Sequence, residues 1–385
     1  MSKTPSLLMT AVLMGSVLHA AQEKFPEIPA VSGKMTEFVQ AHEIAGAVTL
    51  VADEKNIIRL SAVGMADLET KRPMKTDDVF WIASMTKPIT ATAVMMMHEQ
   101  GRLSVDDPVE KYLPEFSNLK DAAGNKVTIT LKQCLTHSAG LSEVSVEETA
   151  KVTTLAELMP LIVAKPVQFA PGSRWQYCQT GINTAARVVE VVSGESFPGF
   201  LETHLFGPLG MKDTTFYPDE KLAARLATAY RKTDGGLEKT VIGFLGGKSL
   251  TDKNRYPRAN GGLFSTAEDY SKFARMILNG GELDGRRYLK PESVKLMTTV
   301  QSGGLQTGFT PGCAWGLGWC VVREPQGVSA ALSPGSFGHG GAFGTQAWID
   351  PVKKRVHLLF IQRADLPNSD GSEMRKALHE TAAGL

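Results

Sequence analysis

Apolar residues recur along this chain with two different periods, and the period changes with position. The run AGAVTLVAD from Ala45 and the run NIIRLSAVG from Asn56 have strand character and are separated by a polar turn at Glu54 and Lys55, which predicts a hairpin. Near the other end, GTQAWID from Gly344 and KRVHLLFIQ from Lys354 flank a turn at Asp350 and Pro351. They predict a second hairpin, followed by a helix from about Ser372 to Ala383. Between the hairpins, TGINTAARVVEVVSGES (Thr180 to Ser196) and STAEDYSKFARMILNGGEL (Ser265 to Leu283) place apolar residues three and four apart and finish at glycine. In the second, Ser265 and Glu268 have the spacing of a capping box.

Strands at both ends with helices between them predict an α+β fold, in which an antiparallel sheet formed from both chain ends is flanked by helices and carries a mostly helical inserted lobe. The expected division is an α/β lobe over about 22–100 and 255–385 and a helical lobe over about 101–254. Gly/Pro-rich connectors such as FAPGSRW and SPGSFGHGG mark crossings between the lobes.

One segment breaks the pattern by mixing chemistry into a core helix. From Met85 to Gln100 the residues are apolar on nearly every side, including Ile89, Val94 and Met95 to Met97, which predicts a helix buried all round and stopped at Gly101. Its methionines read as core filler. Pro88 is tolerable only within the first turn, so the helix starts at or near Ser84. The first N–H groups of a helix lack internal partners and sit at its positive dipole end, which suits an oxyanion. Lys87 lies on the same face as Ser84. Drawing its ammonium into an apolar site and lowering its pKa from about 10.4 towards 7 corresponds to roughly 4–5 kcal/mol of desolvation. Neutral, the amine can take the serine proton. Ser-x-x-Lys alone is not diagnostic, because SNLK at Ser117 to Lys120 repeats it in a polar connector with no buried helix behind it.

Composition narrows the partners. Of 385 residues, 43% are hydrophobic and 21% charged, as in a globular chain. Lys and Arg number 41 against 40 Asp and Glu, which leaves no overall field to hold nucleic acid or an anionic membrane. Lys3, the apolar run Leu7 to Leu18 and the small residues Ala20 and Ala21 predict a signal peptide over residues 1–21 and export to the periplasm or beyond. That run is shorter than the roughly 20 residues of a membrane span, so no span is expected. Cys134, Cys178, Cys313 and Cys320 are sparse and read as buried free thiols, with a Cys313–Cys320 bridge left open. No Cys-x-x-Cys or His-Glu-x-x-His marks a zinc site.

FWIASMTKPITA resembles the active-site helix of the serine β-lactamase and penicillin-binding-protein superfamily, in the branch that holds class C β-lactamases, D-aminopeptidases and family VIII carboxylesterases. LTHSAGL from Leu135, PLGMKDT from Pro208, NGGLFSTAEDYSKFA from Asn260 and GLGW from Gly316 resemble the same branch in the order expected. The resemblance implies a β-lactamase/transpeptidase-like fold, Ser84 as nucleophile and Lys87 as its base. It makes Tyr177, in WQYCQTG, the second proton carrier, its phenol drawn down by the Lys87 charge. Gln179 stands where the family usually has Asn and would offer a substrate its amide from a longer arm. In FGHGGAFG, His339, Gly340 and Gly341 occupy the place of the β-lactamase Lys-Thr-Gly. The glycines would let a substrate lie against the strand edge, and the N–H groups of Ser84 and Ala342 would form the oxyanion hole. His137 is structural by the same resemblance. No metal or organic cofactor is implied, and the partner is a small-molecule ester or amide.

A lysine at position 339 would present a permanent charge to the carboxylate of a β-lactam, whereas a histidine is mostly neutral at pH 7. This favours a carboxylesterase on small neutral esters, with a class C-like β-lactamase or a D-amino-acid peptidase as alternatives on the same machinery. A catalytically inactive cell-wall binding protein is expected to lose a member of the triad, and Ser84, Lys87 and Tyr177 are all present. The α/β-hydrolase route needs a Gly-x-Ser-x-Gly elbow that the chain lacks. Trp175, Trp315 and Trp319 lie beside or between motifs and either wall an acyl pocket or pack in the core.

Overall fold

The computed structural model describes residues 29–383, and the expected signal peptide lies outside the described residues. An eight-stranded sheet is built from β1 (Gly46–Ala52), β2 (Ile57–Asp67), β3 (Arg72–Pro73), β4 (Cys313–Trp315), β5 (Cys320–Val322), β6 (Phe337–Gly340), β7 (Gln346–Asp350) and β8 (Arg355–Phe360). Its order is β4-β5-β6-β7-β8-β1-β2-β3, and neighbouring strands run antiparallel. The two ends of the chain meet where β1 pairs β8, with Val48 opposite Phe360 and Leu50 opposite Leu358. The helices that matter here are α1 (Pro29–Gln40), α2 (Thr86–Glu99), α3 (Gln179–Ser193), α4 (Ala267–Leu278) and α5 (Glu373–Ala382).

Every residue of β1 is buried, which explains why its sequence reads as a continuous apolar run. Its side chains still alternate. Ala47 and Val51 join Leu359 and Ile361 in a core closed by Met35 of α1 and Leu378 of α5, while Val48 and Leu50 join Leu358 and Phe360 in the core that contains α2 and α4. Each fully buried Val, Leu or Phe contributes about 1.5–3 kcal/mol. A one-residue slip of β1 would exchange the two faces, so both cores fix the register.

Helix α2 is buried from Thr86 to Met97 and ends before Gly101, which adopts a left-handed φ of 70°. It packs against α3 and reaches β6, so its N-terminus opens between the sheet and the inserted lobe. One expectation is corrected. The capping box of Ser265 and Glu268 does not form. The N-cap of α4 is Thr266, whose hydroxyl accepts the Asp269 N–H at 3.2 Å, because Ser265 Oγ is engaged with Thr214 Oγ1 at 2.8 Å. The mostly helical stretch 101–254 also contains strands. Tyr230–Thr233 and Gly236–Lys239 form a hairpin that pairs in parallel with Arg363–Ala364, just beyond β8, so the chain rejoins the sheet side before residue 255. Among the described residues no helix is long and apolar enough to cross a membrane. All four cysteines are free thiols.

Candidate active site

Ser84 sits in a 3-10 turn, Ala83–Met85, that feeds directly into α2. Pro88 is the third residue of α2, where its missing N–H costs no internal bond. Ala83 holds a left-handed φ of 45°, strain that a non-glycine residue adopts only when its surroundings impose it. One helical step on, Lys87 is wholly buried, with Nζ 2.9 Å from Ser84 Oγ and 2.7 Å from the Asn260 carbonyl oxygen. Burial brings the Lys87 pKa down to about 7, while the carboxylates of Glu143 and Asp370 pull the other way. In its neutral form the amine donates to the Asn260 carbonyl and turns its lone pair toward the Ser84 hydroxyl, the geometry of a general base and its nucleophile.

Tyr177 comes from the residues just before α3. Its ring centroid lies 4.6 Å from Lys87 Nζ, its hydroxyl hydrogen-bonds to Ser84, and it stands 3.5 Å from His339 Nε2. Burial pushes the phenol well above its usual range and outweighs the bond to Ser84, so the expected lowering by Lys87 is reversed. Burial is the largest effect, and the negative charges of Asp370 and Glu143 push the same way. Tyr177 is therefore an intact O–H rather than a standing phenolate, a group that can pass a proton along hydrogen bonds.

His339 on β6 is buried, and desolvation together with the nearby Lys87 lowers its pKa to about 3. Its Nδ1 lies 2.7 Å from the Gly340 carbonyl and so carries the hydrogen, which leaves Nε2 as an acceptor facing Tyr177. Trp315, with its ring 5.6 Å from His339 and 5.9 Å from Tyr177, backs both, and Trp175 and the half-exposed Phe309 complete an aromatic wall. Trp319 belongs to the core instead, stacked on Phe273. His137 packs beneath Tyr177 at 4.4 Å and accepts the Cys178 N–H on Nδ1 at 3.1 Å, which steadies the tyrosine from below.

The turn after β6 carries Ala342, exposed at the cleft, and is drawn toward the Ser84 turn by Thr345 Oγ1, which donates to the Ile82 carbonyl at 3.3 Å. Gly340 and Gly341 also have a packing reason to lack side chains. A Cβ on Gly340 would fall 1.9 Å from Asp370 Oδ1, and one on Gly341 would fall 2.6 Å from the Ile82 carbonyl oxygen. Gln179 is also committed inside the protein: its N–H donates to Glu143 at 2.6 Å and its amide oxygen accepts from Asn260 Nδ2 at 2.9 Å.

Sequence reasoning overlooked Asn260 as a hub. Its carbonyl receives Lys87, its side chain bonds Gln179 and Asn183, and the following Gly261 lies against the Ser84 backbone. It stands in NGGLFST, so the signal was present in the motif. Glu143 and Asp370 were missed outright, and both add negative potential around Lys87.

A family model described as Beta-lactamase matches residues 31–383. The chain belongs to the β-lactamase family. Within it, esterase EstB of Burkholderia gladioli is 28% identical over 342 residues, covering 81% of this chain and 84% of its own length. A putative D-alanyl-D-alanine carboxypeptidase of Escherichia coli K12 is 26% identical over 353 residues, covering 85% and 80%. Among solved structures, EstCE1, described as a hydrolase with promiscuous acyltransferase activity, superposes with a TM-score of 0.79 at 25% identity over 92% of this chain and 98% of its own. The β-lactamase family fold, its mixed helices and its antiparallel sheet are those described above.

Proposed function

We propose that this protein is a secreted or periplasmic serine carboxylesterase that acts on small esters, uncharged around the reacting carbonyl, through an acyl-enzyme on Ser84. Ser84 Oγ attacks the carbonyl carbon as its proton passes to neutral Lys87, and the N–H groups of Ser84 and Ala342 receive the oxyanion. The intermediate collapses as the proton moves from Lys87, directly or through the Tyr177 hydroxyl, to the departing alkoxide. Water then adds to the acyl carbon by the same relay and releases the acid.

The observation that carries the ester reading is the neutral His339 at the position where a β-lactamase lysine would meet a substrate carboxylate, with Glu143 and Asp370 adding negative potential around Lys87. The esterase EstB relative supports the same reaction class. Export rests on the apolar run from Leu7 to Leu18. Rates on p-nitrophenyl butyrate, a cephalosporin and a D-alanyl peptide, measured side by side, test it. The ester is expected to be turned over fastest, and faster turnover of the cephalosporin or the peptide would replace the ester reading.

A further inference from the structure

Shortly before α4 the chain reads KNRYPRANGG, residues 253–262, and it brings Arg255 and Arg258 together. Both line a cavity of about 60 Å³ with Thr149, Phe244, Lys248 and Tyr256, and exposed Val146 and Gly246 stand at its rim. Arg255 is 6% exposed. Its Nε and Nη2 hold the loop by donating to the carbonyls of Asp252 and Phe216, while its Nη1 is buried with no partner. Arg258 Nη2 donates to Thr149 Oγ1 at 2.9 Å, and the guanidinium lies over the rings of Tyr256 and Phe244. Lys248 Nζ donates to the Asn254 carbonyl.

Three cations thus converge, and among the described residues none of them has a carboxylate oxygen within 4.0 Å. Asp252 attracts Arg255 from a distance, but its Oδ1 is spent on the Asn254 N–H. Glu143, on the Tyr256 side, is spent on Gln179 and Thr180. Desolvation disfavours the charge on both arginines, and the aromatic faces and carbonyls offset only part of that cost. A built cavity with uncompensated guanidinium groups is suited to an anion from outside, and planar paired N–H groups match a carboxylate.

The cavity is tied to the catalytic centre. Arg258 is two residues from Asn260, whose carbonyl holds Lys87, and Phe244 packs at 5.4 Å on Trp81, whose Nε1 donates to the Gly261 carbonyl beside Ser84. By that route Arg258 lies on the order of 10–15 Å from Ser84 Oγ. We propose that the cavity is a carboxylate-binding subsite, which takes the free acid end of an ester substrate's acyl chain while the reacting carbonyl stays in the neutral centre. This rests on the esterase reading for the reaction, but not for the binding.

The test compares kcat/KM for the p-nitrophenyl monoester of adipic acid with that for its methyl-capped neutral analogue, in wild type, Arg258→Met and Arg255→Met. Wild type is expected to favour the acid about tenfold or more, mainly through KM, and the ratio should fall to near one in Arg258→Met. Equal rates in wild type, or a ratio preserved in both variants, overturn the subsite. Titration of adipate into Ser84→Ala by calorimetry needs no turnover. Saturable one-to-one binding that weakens about tenfold on adding Arg258→Met supports it, and absence of binding overturns it. If neither ester is hydrolysed while adipate binds, the esterase reading fails and the subsite stands.

Discussion

Replacing Lys87 with methionine separates what the buried amine does for catalysis from what it does to stability. At pH 6 the wild type holds an ammonium in a site with no exposure, and the drop from 10.5 to about 7 corresponds to about 4–5 kcal/mol of desolvation. Methionine removes that cost but leaves the Asn260 carbonyl without its 2.7 Å donor, a loss of about 1–3 kcal/mol. Lys87→Met is therefore expected to be more stable than wild type by about 2 kcal/mol at pH 6. Between pH 7 and 10.5 the unfolded chain binds a proton at Lys87 that the native protein does not, so wild-type stability rises with pH across that window. By pH 9.5 the wild type regains about 3 kcal/mol relative to the variant, and the order of stability reverses. Urea unfolding of both proteins at the two pH values reads this directly, and kcat/KM on a neutral ester should fall by about 10²–10⁴. A stability difference that stays constant between pH 6 and pH 9.5 would refute a buried amine with a lowered pKa.

Two further outcomes follow from the same geometry. Tyr177→Phe keeps the ring against His137 and Phe309 but removes the hydroxyl bonded to Ser84, so kcat should fall by about 10²-fold while the unfolding midpoint stays close to that of wild type. Among the cysteines, Cys313 should react first with a disulfide reagent near pH 7, because the bond from the Cys320 thiol favours its thiolate and lowers its pKa, whereas burial raises Cys134 and Cys178. Peptide mapping after limited labelling checks this, and first reaction at Cys134 or Cys178 would contradict it.

What could be read from the chain was what depends on local spacing. Both hairpins of the sheet, the all-round burial of α2 and the Ser84–Lys87 step follow from residues within a few positions of one another. The hairpin at 230–239 escaped because YRKTDGGLEK is polar and pairs with Arg363 and Ala364, far along the chain. Ser265 and Thr266 offer competing caps one residue apart, and only the distant hydroxyl of Thr214 decides between them. The phenol of Tyr177 was misjudged in direction because burial by Trp315, His137 and Phe309 cannot be seen in WQYCQTG. Gly340 and Gly341 were legible as special positions, but Asp370 and Ile82, which fill their space, lie elsewhere in the sequence.

Trapping the acyl group decides the matter most directly. The protein is mixed rapidly with p-nitrophenyl butyrate, quenched, and mapped by peptide mass at a series of pH values. Butyrate is expected on Ser84, with an acylation rate that climbs through a midpoint near pH 7 as Lys87 loses its proton. Butyrate on another residue, or a Ser84 acylation rate that does not change from pH 5 to pH 9, would contradict the role given to Ser84 and Lys87.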